Sequence, residues 1–475
     1  MKFYLDSTLQ TAATIVPIFE GENIEDGFIK QIIDIDVFKA KFKDIYVYID
    51  KDTLHQTILV GLGEEDKLDL NKYTEAIGKA ARHAKSLKIT KYGVHCKLYK
   101  DMTQAELVPV VVQGTVLATY QFEKYKSEKK EYDAEVAIIF DNEPQAELAD
   151  ILNETVNIVD GVIVARDFIN EPANVLYPES FANRVAKLGQ DIGLEVQVFD
   201  EKQIQDMGME ALWEVGKGSD KLPRLIVMRH MAAPDDSEIL GVIGKGLTFD
   251  TGGYSLKPSD SMKDMKNDMG GAGAAVGLMY AIVKNNVKKN VIGVIAAAEN
   301  AISGHSYKPG DIIGSMGGKT IEVINTDAEG RLTLIDAVTY SIEKENVTKI
   351  IDMATLTGAV LVALGDIATC VITNDDEFYH KLTEAAKYTD EKFWQLPAYE
   401  EYKELFKGKV ADLANAGSKL AGSITAGMFI GEFVQGKPWM HLDIAGTAWS
   451  DRDVSELSIK GATGAPVRTL YNLIK

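Results

Sequence analysis

Short apolar runs of strand length alternate with segments of helical period along the chain. In the first 150 residues, runs at 45–49, 57–63, 94–99, 110–112 and 136–140 are rich in Val, Ile and aromatic residues. They read as strands or buried segments, with a helical pattern over 73–87 among them. From 146 to 168 the apolar positions Leu148, Ile151, Leu152, Val156, Val159, Val162 and Ile163 follow helical spacing and predict one long helix. It ends before Asn170-Glu171-Pro172-Ala173-Asn174, where the proline cannot continue a helix. Further on, apolar runs at 225–228, 240–244, 290–297, 321–324, 349–353 and 369–373 have strand length. Helical patterns at 271–283, 332–345 and 377–387 lie between several of them. Strand, helix, strand in that order predicts a parallel or mixed sheet covered by helices. The expected fold is α/β: a smaller N-terminal α/β domain over 1–150, a connecting helix over 151–168, and a large C-terminal domain over 169–475. The large domain is expected to hold a mixed, mostly parallel sheet flanked by helices.

Composition narrows the function classes. The 475 residues exceed what one hydrophobic core usually organises. Hydrophobic residues are 46% and charged residues 26%, which is ordinary for a globular chain. Lys plus Arg number 51 against 71 Asp plus Glu, a net charge of −20 that repels phosphate backbones and anionic headgroups. Chain-wide binding to nucleic acid or to a membrane surface is thereby disfavoured. Two cysteines, Cys96 and Cys370, are too few for a disulfide framework and read as buried reduced thiols. No apolar run reaches the ~18–20 residues that span a bilayer, and the N-terminus shows no signal core. A cytoplasmic protein is expected. Gly61-Leu62-Gly63 resembles half of a dinucleotide fingerprint, but Glu64-Glu65-Asp66 follows it, and three acids where a pyrophosphate would sit leave a turn as the better reading.

Chemistry concentrates after two of the expected strands, where ligand sites of α/β sheets gather. The run at 240–244 leads into Lys245-Gly246-Leu247-Thr248-Phe249-Asp250-Thr251-Gly252-Gly253-Tyr254-Ser255-Leu256-Lys257-Pro258. The run at 321–324 leads into Asn325-Thr326-Asp327-Ala328-Glu329-Gly330-Arg331-Leu332. Asp268 lies between them, just before a helix rich in glycine and alanine. Asp250, Asp268, Asp327 and Glu329 thus sit in glycine-rich loops beside apolar strands, where a carboxylate needs a cation or hydrogen bonds. Their convergence would suit divalent cations such as Mg, Mn, Zn or Co. None of the seven histidines falls in these motifs. His305 is the one positional candidate for a zinc ligand and reads as an ordinary structural histidine. Lys245, Lys257 and Arg331 flank the acids, either as counter-ions or, for a desolvated lysine beside cations, as a neutral ligand. Spacing alone leaves three readings open: a two-metal hydrolase, a phosphate-handling enzyme, or structural ion pairs. A Walker motif is missing around Gly244-Lys245-Gly246, which weakens the second. Ser255 has no adjacent histidine in sequence and sits in no nucleophile elbow.

The eight residues from Asn325 to Leu332 resemble the signature of the leucine aminopeptidase (cytosol aminopeptidase) family. Four other segments are similar to the same family in the same order: Asn170-Glu171-Pro172-Ala173-Asn174, the 245–258 loop, Ala354-Thr355-Leu356-Thr357-Gly358-Ala359, and His441-Leu442-Asp443-Ile444-Ala445-Gly446-Thr447-Ala448. The resemblance implies a metal-dependent exopeptidase that removes an N-terminal residue, with Leu and other apolar residues preferred, through a hydroxide bridging two metal ions. By position, it implies metal ligation by Lys245, Asp250, Asp268, Asp327 and Glu329, with Asp250 and Glu329 shared between the ions. A tighter site takes Lys245, Asp250, Asp268 and Glu329; a more exchangeable one takes Asp250, Asp327 and Glu329. Lys257 matches the catalytic lysine, and Arg331 the residue that holds a bicarbonate acting as general base. Met265, Thr355, Leu356, Thr357, Gly358 and Ala445 match the substrate pocket. Implied cofactors are two divalent ions per subunit, Mn or Zn with Mg or Co as other options, together with bicarbonate. Implied partners are short peptides with a free N-terminus and further copies of the chain in a homohexamer. Some bacterial relatives also bind DNA, a regulatory alternative that the acidic balance opposes. Tyr254 and Met353 are the departures from the family pattern, and neither is a ligand position.

Overall fold

The computed structural model describes residues 1–5, 9–24, 27–129, 132–417 and 420–475. The chain divides into two compact units. One comprises Met1–Val159 with Arg452–Lys460, and the other Asp160–Asp451 with Gly461–Lys475.

In the first unit, six strands form one sheet in the order Lys2–Tyr4, Glu135–Ile139, Lys91–His95, Ala13–Phe19, Gln56–Gly63, Ile45–Ile49. All neighbouring pairs are parallel except the last, where Ile45–Ile49 adds an antiparallel edge. Gly61 and Gly63 close the strand Gln56–Gly63. Two helices, Leu70–Ser86 and Gln104–Thr119, pack on each other. The valines at 110–112, expected as a strand or a buried segment, are the centre of the second helix. It is buried on most of its circumference, and that burial conceals the helical period. Thr103 starts it with a capping box: its side chain accepts from Glu106 N while the Glu106 carboxylate accepts from Thr103 N. The segment Arg452–Lys460 carries Glu456, 12% exposed, which faces Arg82 at 3.5 Å, Lys79 at 3.7 Å and Lys43 at 3.9 Å.

The second unit holds an eight-stranded sheet. Its order is Lys392–Gln395, Ala368–Thr373, Trp439–Asp443, Lys349–Ala354, Ile239–Asp250, Asn290–Asn300, Arg224–Met231, Glu195–Phe199. The four central strands, Trp439–Asp443 to Asn290–Asn300, run parallel to one another. They are buried on both faces, so the first half of Ile239–Asp250, residues 240–244, reads as a continuous apolar run rather than an alternating one. The helices Gly270–Lys284 and Gly330–Glu345 pack against these strands, as the sequence predicts for the intervening segments. Ile243, Leu247, Ile292, Val294, Leu334, Ile335, Val338 and Ile350 belong to one core. One expected strand lies elsewhere: only Ile321–Glu322 is extended, and it pairs with Ile312–Ile313 and Leu413–Ala414 in a separate small sheet. Both thiols, Cys96 and Cys370, are free and buried. Among the described residues, no helix is long and apolar enough to cross a membrane.

Candidate active site

Four parallel strands end side by side at the middle of the larger sheet, and three of them end on a polar side chain. Asp250 and Asn300 are register partners at the ends of Ile239–Asp250 and Asn290–Asn300. Ala354 and Asp443 are register partners at the ends of the two strands beside them. The loops that follow bring in the remaining groups, as expected for the carboxyl edge of an α/β sheet.

Two lysines organise the acids. The buried Lys245 Nζ lies 2.7 Å from Asp268 Oδ1, 3.0 Å from Glu329 Oε1 and 3.1 Å from Thr355 O. Lys257 Nζ lies 2.8 Å from Asp250 Oδ2 and 2.5 Å from Asp327 Oδ1. Carboxylate oxygens of Asp250, Asp327 and Glu329 all fall within 4.8 Å of one another. The structure therefore brings Lys245, Asp250, Lys257, Asp268, Asp327 and Glu329 into one cluster. Two helix N-termini face it: Glu329 immediately precedes Gly330–Glu345, and Asp268 lies two residues before Gly270–Lys284. The partial positive charge at such ends favours buried carboxylates.

Two glycines make the approach possible. A Cβ on Gly330 would lie 2.5 Å from Lys245 Cε and 2.7 Å from its Nζ. Gly252 has φ +83°, and a Cβ there would lie 2.7 Å from Asp327 Oδ1.

Burial and mutual repulsion dominate the electrostatics. Burial, with Glu329 and Asp268 nearby, raises the Asp250 carboxyl well above its usual range. Burial also pushes Asp268 up to about 6, against the pull of Lys245. Asp327 is raised by burial and by Glu329. Glu329 is held below its usual range, because Lys245 and Lys257 outweigh its burial. Burial lowers both lysines, yet the surrounding acids more than reverse it and hold each ammonium above its ordinary value. Four carboxylates thus share two ammonium groups, and Asp268 Oδ2 and Glu329 Oε2 are buried with no hydrogen-bond partner among the described residues. Unpaired oxygens, surplus negative charge and an all-carboxylate set with one amine fit hard or borderline divalent cations.

Arg331 is buried, which lowers its guanidinium to about 10. Its Nη1 donates to Asn415 O at 2.8 Å, and its Nε has no hydrogen-bond partner among the described residues. Thr355 Oγ1 donates to Asp268 Oδ1 at 2.9 Å. Leu356 N and Ala445 N donate to Asp443 Oδ1 at 3.1 and 3.2 Å, and Thr357 Oγ1 donates to Asp443 Oδ2 at 2.6 Å. Gly358 opens the helix Gly358–Leu364, and the half-buried Met265 opens the turn Met265–Asn267 that leads to Asp268. His305 is exposed and stands outside the acidic group. Tyr254 donates to Ser303 O at 3.1 Å, and Met353 is a buried strand residue.

Three contributors escape sequence reasoning. Asn300 Nδ2 donates to Asp250 Oδ1 at 2.8 Å and to Thr326 O at 3.0 Å. Thr326 Oγ1 donates to Gly252 O at 2.6 Å and accepts from Ser255 N at 2.8 Å, joining the two acidic loops. Asp443 joins the pocket segments. Thr326 and Asp443 stand inside motifs quoted above, but nothing in their spacing distinguishes them from neighbouring polar residues. Asn300 lies just past the expected run at 290–297.

Residues 163–471 match the catalytic domain of the cytosol aminopeptidase family, and residues 15–129 match that family's N-terminal domain. The chain is 50% identical over 477 residues to a protein of Clostridium perfringens (strain 13 / Type A) named "Probable cytosol aminopeptidase", spanning 98% of this chain and 96% of that one. A protein of Treponema denticola with the same name is 40% identical over 480 residues, spanning 100% and 99%. Among solved structures, a mutant form of tomato leucine aminopeptidase is similar with a TM-score of 0.89 and 30% identity, covering 100% of this chain and 95% of that one. The bottromycin maturation enzyme BotP in complex with Mn is similar with a TM-score of 0.89 and 28% identity, covering 98% and 99%. A buried acidic cluster at the carboxyl edge of the sheet and family matches to both parts of the chain lead to one conclusion: the chain belongs to the cytosol aminopeptidase family and is a metal-dependent aminopeptidase.

Proposed function

We propose that the chain releases Leu and other apolar N-terminal residues from short peptides with two divalent cations per subunit. The observation that carries this is the cluster in which four carboxylates share two lysines and two buried carboxylate oxygens lack hydrogen-bond partners among the described residues. Lys245, Asp250, Asp268 and Glu329 would hold the tighter ion, and Asp250, Asp327 and Glu329 the more exchangeable one. When bound, the cations supply Lewis acidity that polarises a carbonyl and brings a water's pKa towards neutrality, and bicarbonate supplies a small general base.

The protein's own groups do the rest. Lys257 keeps its proton and stands between Asp250 and Asp327, where it can balance negative charge that develops on the scissile carbonyl oxygen. Arg331 presents a buried, partly unsatisfied guanidinium suited to a planar anion such as bicarbonate. Met265, Thr355, Leu356, Thr357, Gly358 and Ala445 would line the pocket for the N-terminal side chain. Mn is supported by the BotP structure named with it, while Zn, Mg or Co would suit the same donors. The leucine preference is supported by the name of the tomato relative. Catalysis belongs to 169–475 in this reading, with 1–150 as a separate α/β domain joined through a helix over 151–168. A homohexamer in the cytoplasm completes the proposal, the relatives' names supporting the location. Light scattering that gives a monomer would remove the hexamer. None of the relatives named above points to the DNA-binding alternative.

The test is hydrolysis of a leucine chromogenic amide and its N-acetylated counterpart, on metal-stripped protein and again after Mn or Zn is restored. Metal-restored cleavage confined to the free-amine substrate is expected. Cleavage of the acetylated amide at a similar rate would refute exopeptidase action.

A further inference from the structure

Asp443 ends the strand Trp439–Asp443 and is fully buried, yet it holds none of the ions in the reading above. Its two oxygens serve two separate segments. Oδ1 accepts from Leu356 N and from Ala445 N, and Oδ2 accepts from the Thr357 hydroxyl. The bond to Ala445 is local, two residues along the chain. Those to Leu356 and Thr357 reach back 87 and 86 residues. Thr357 Oγ1 also lies 2.9 Å from Ser423 Oγ and accepts from Val360 N at 3.2 Å, which caps the helix Gly358–Leu364. The other end of this short segment is held by the ion cluster, through Thr355 Oγ1 on Asp268 and Lys245 Nζ on Thr355 O. Beyond the strand pairing that ends with Ile444 N donating to Ala354 O at 2.8 Å, the Asp443 carboxylate is therefore the side-chain tie between the 355–358 segment and Ala445.

We propose that Asp443 is a positioning residue for substrate selectivity. It holds the two walls of the pocket for the N-terminal side chain at a spacing that favours a leucine-sized group over a small one. This rests on the pocket assignment made under the proposed function. Three donors converge on the two oxygens, and an amide in place of the carboxylate would turn an N–H towards one of them, so that the walls must shift.

The experiment uses the full-length, metal-loaded protein and its Asp443→Asn and Thr357→Val variants. It measures kcat and KM on leucine and alanine p-nitroanilides, bound metal by atomic emission, and thermal unfolding. Asp443→Asn is expected to keep its metal, to raise KM for the leucine substrate ~10-fold with a smaller change in kcat, and to narrow the leucine-to-alanine ratio of kcat/KM ~10-fold, within the range that pocket contacts supply. Thr357→Val, which removes one of the three donors, is expected to narrow the ratio by less. An unchanged ratio in folded Asp443→Asn overturns the proposal. Loss of metal together with kcat at an unchanged ratio also overturns it, and assigns Asp443 to ion retention instead. Should Asp443→Asn fail to fold, the ratio in Thr357→Val decides. A wild type that cleaves neither amide, or both equally, fails the underlying function reading and removes this inference with it.

Discussion

Lys245 and Lys257 divide the acids between them, one joining Asp268 to Glu329 and the other Asp250 to Asp327. Each acid thus has a cation beside it, but the cluster as a whole keeps surplus negative charge. Asp327→Ala or Glu329→Ala is expected to lower kcat by ~10³-fold or more through loss of ion chemistry. The circular dichroism spectrum should stay native, and full activity in either variant would sink the metal assignment. Asn300 acts one step further out, since its amide directs Asp250 Oδ1 and leaves Oδ2 towards Lys257. Removing such an orienting partner commonly costs ~10–100-fold in metal affinity or activity. Asn300→Ala should show that loss in a metal titration followed by kcat. Gly330→Ala is a test by crowding: the added methyl meets Lys245, with an expected cost of ~1–3 kcal/mol in denaturant unfolding.

At the scale of elements, strand ends and helix starts do most of the positioning. Ile239–Asp250 carries Lys245 and Asp250 on one strand, and the helices starting at Gly270 and Gly330 aim their N-termini towards Asp268 and Glu329. In the first unit, the helix Gln104–Thr119 shows how burial overrides a local pattern. Its valines suggest a strand, and it even carries Pro109, yet the Thr103–Glu106 capping box and packing on Leu70–Ser86 keep it helical. Thr103→Ala should therefore lower unfolding stability by about 1 kcal/mol. The kcat/KM for the leucine amide should stay at the wild-type value, because no group of the cluster is touched; a large drop would contradict that separation.

For the whole molecule, metal and fold are linked. Without cations the second unit gathers four carboxylates, three of them buried, against two lysines, and ions that bind only the folded state stabilise it by mass action, about 2.7 kcal/mol at 100 times Kd. Calorimetry should show a higher melting temperature after Mn is restored to chelated protein than before, and identical melting curves would argue against a built ion site. The net charge of −20 adds to the demand for cations, though it acts over the surface rather than in the cluster.

The sequence alone carried the elements around the site and the inventory of its chemistry. A central strand buried on both faces is mostly apolar, so 240–244, 290–297 and, despite Asp352, 349–353 stand out. Acids in glycine-rich loops beside such strands are equally visible, and the Asn325–Leu332 motif assigns them through family likeness. What sequence could not supply was pairing. Which lysine faces which acid depends on how the loops after the strand ends fold back on Ile239–Asp250, and that Asn300 meets Asp250 or Asp443 meets Leu356 follows from the pairing of strands whose residues lie 50 and 87 positions apart. Nor does local pattern reveal that Arg452–Lys460 clusters with the first unit, or that 321–324 leaves the main sheet. Periodicity reports how a segment is buried. The partner that buries it is chosen only when distant segments pack together.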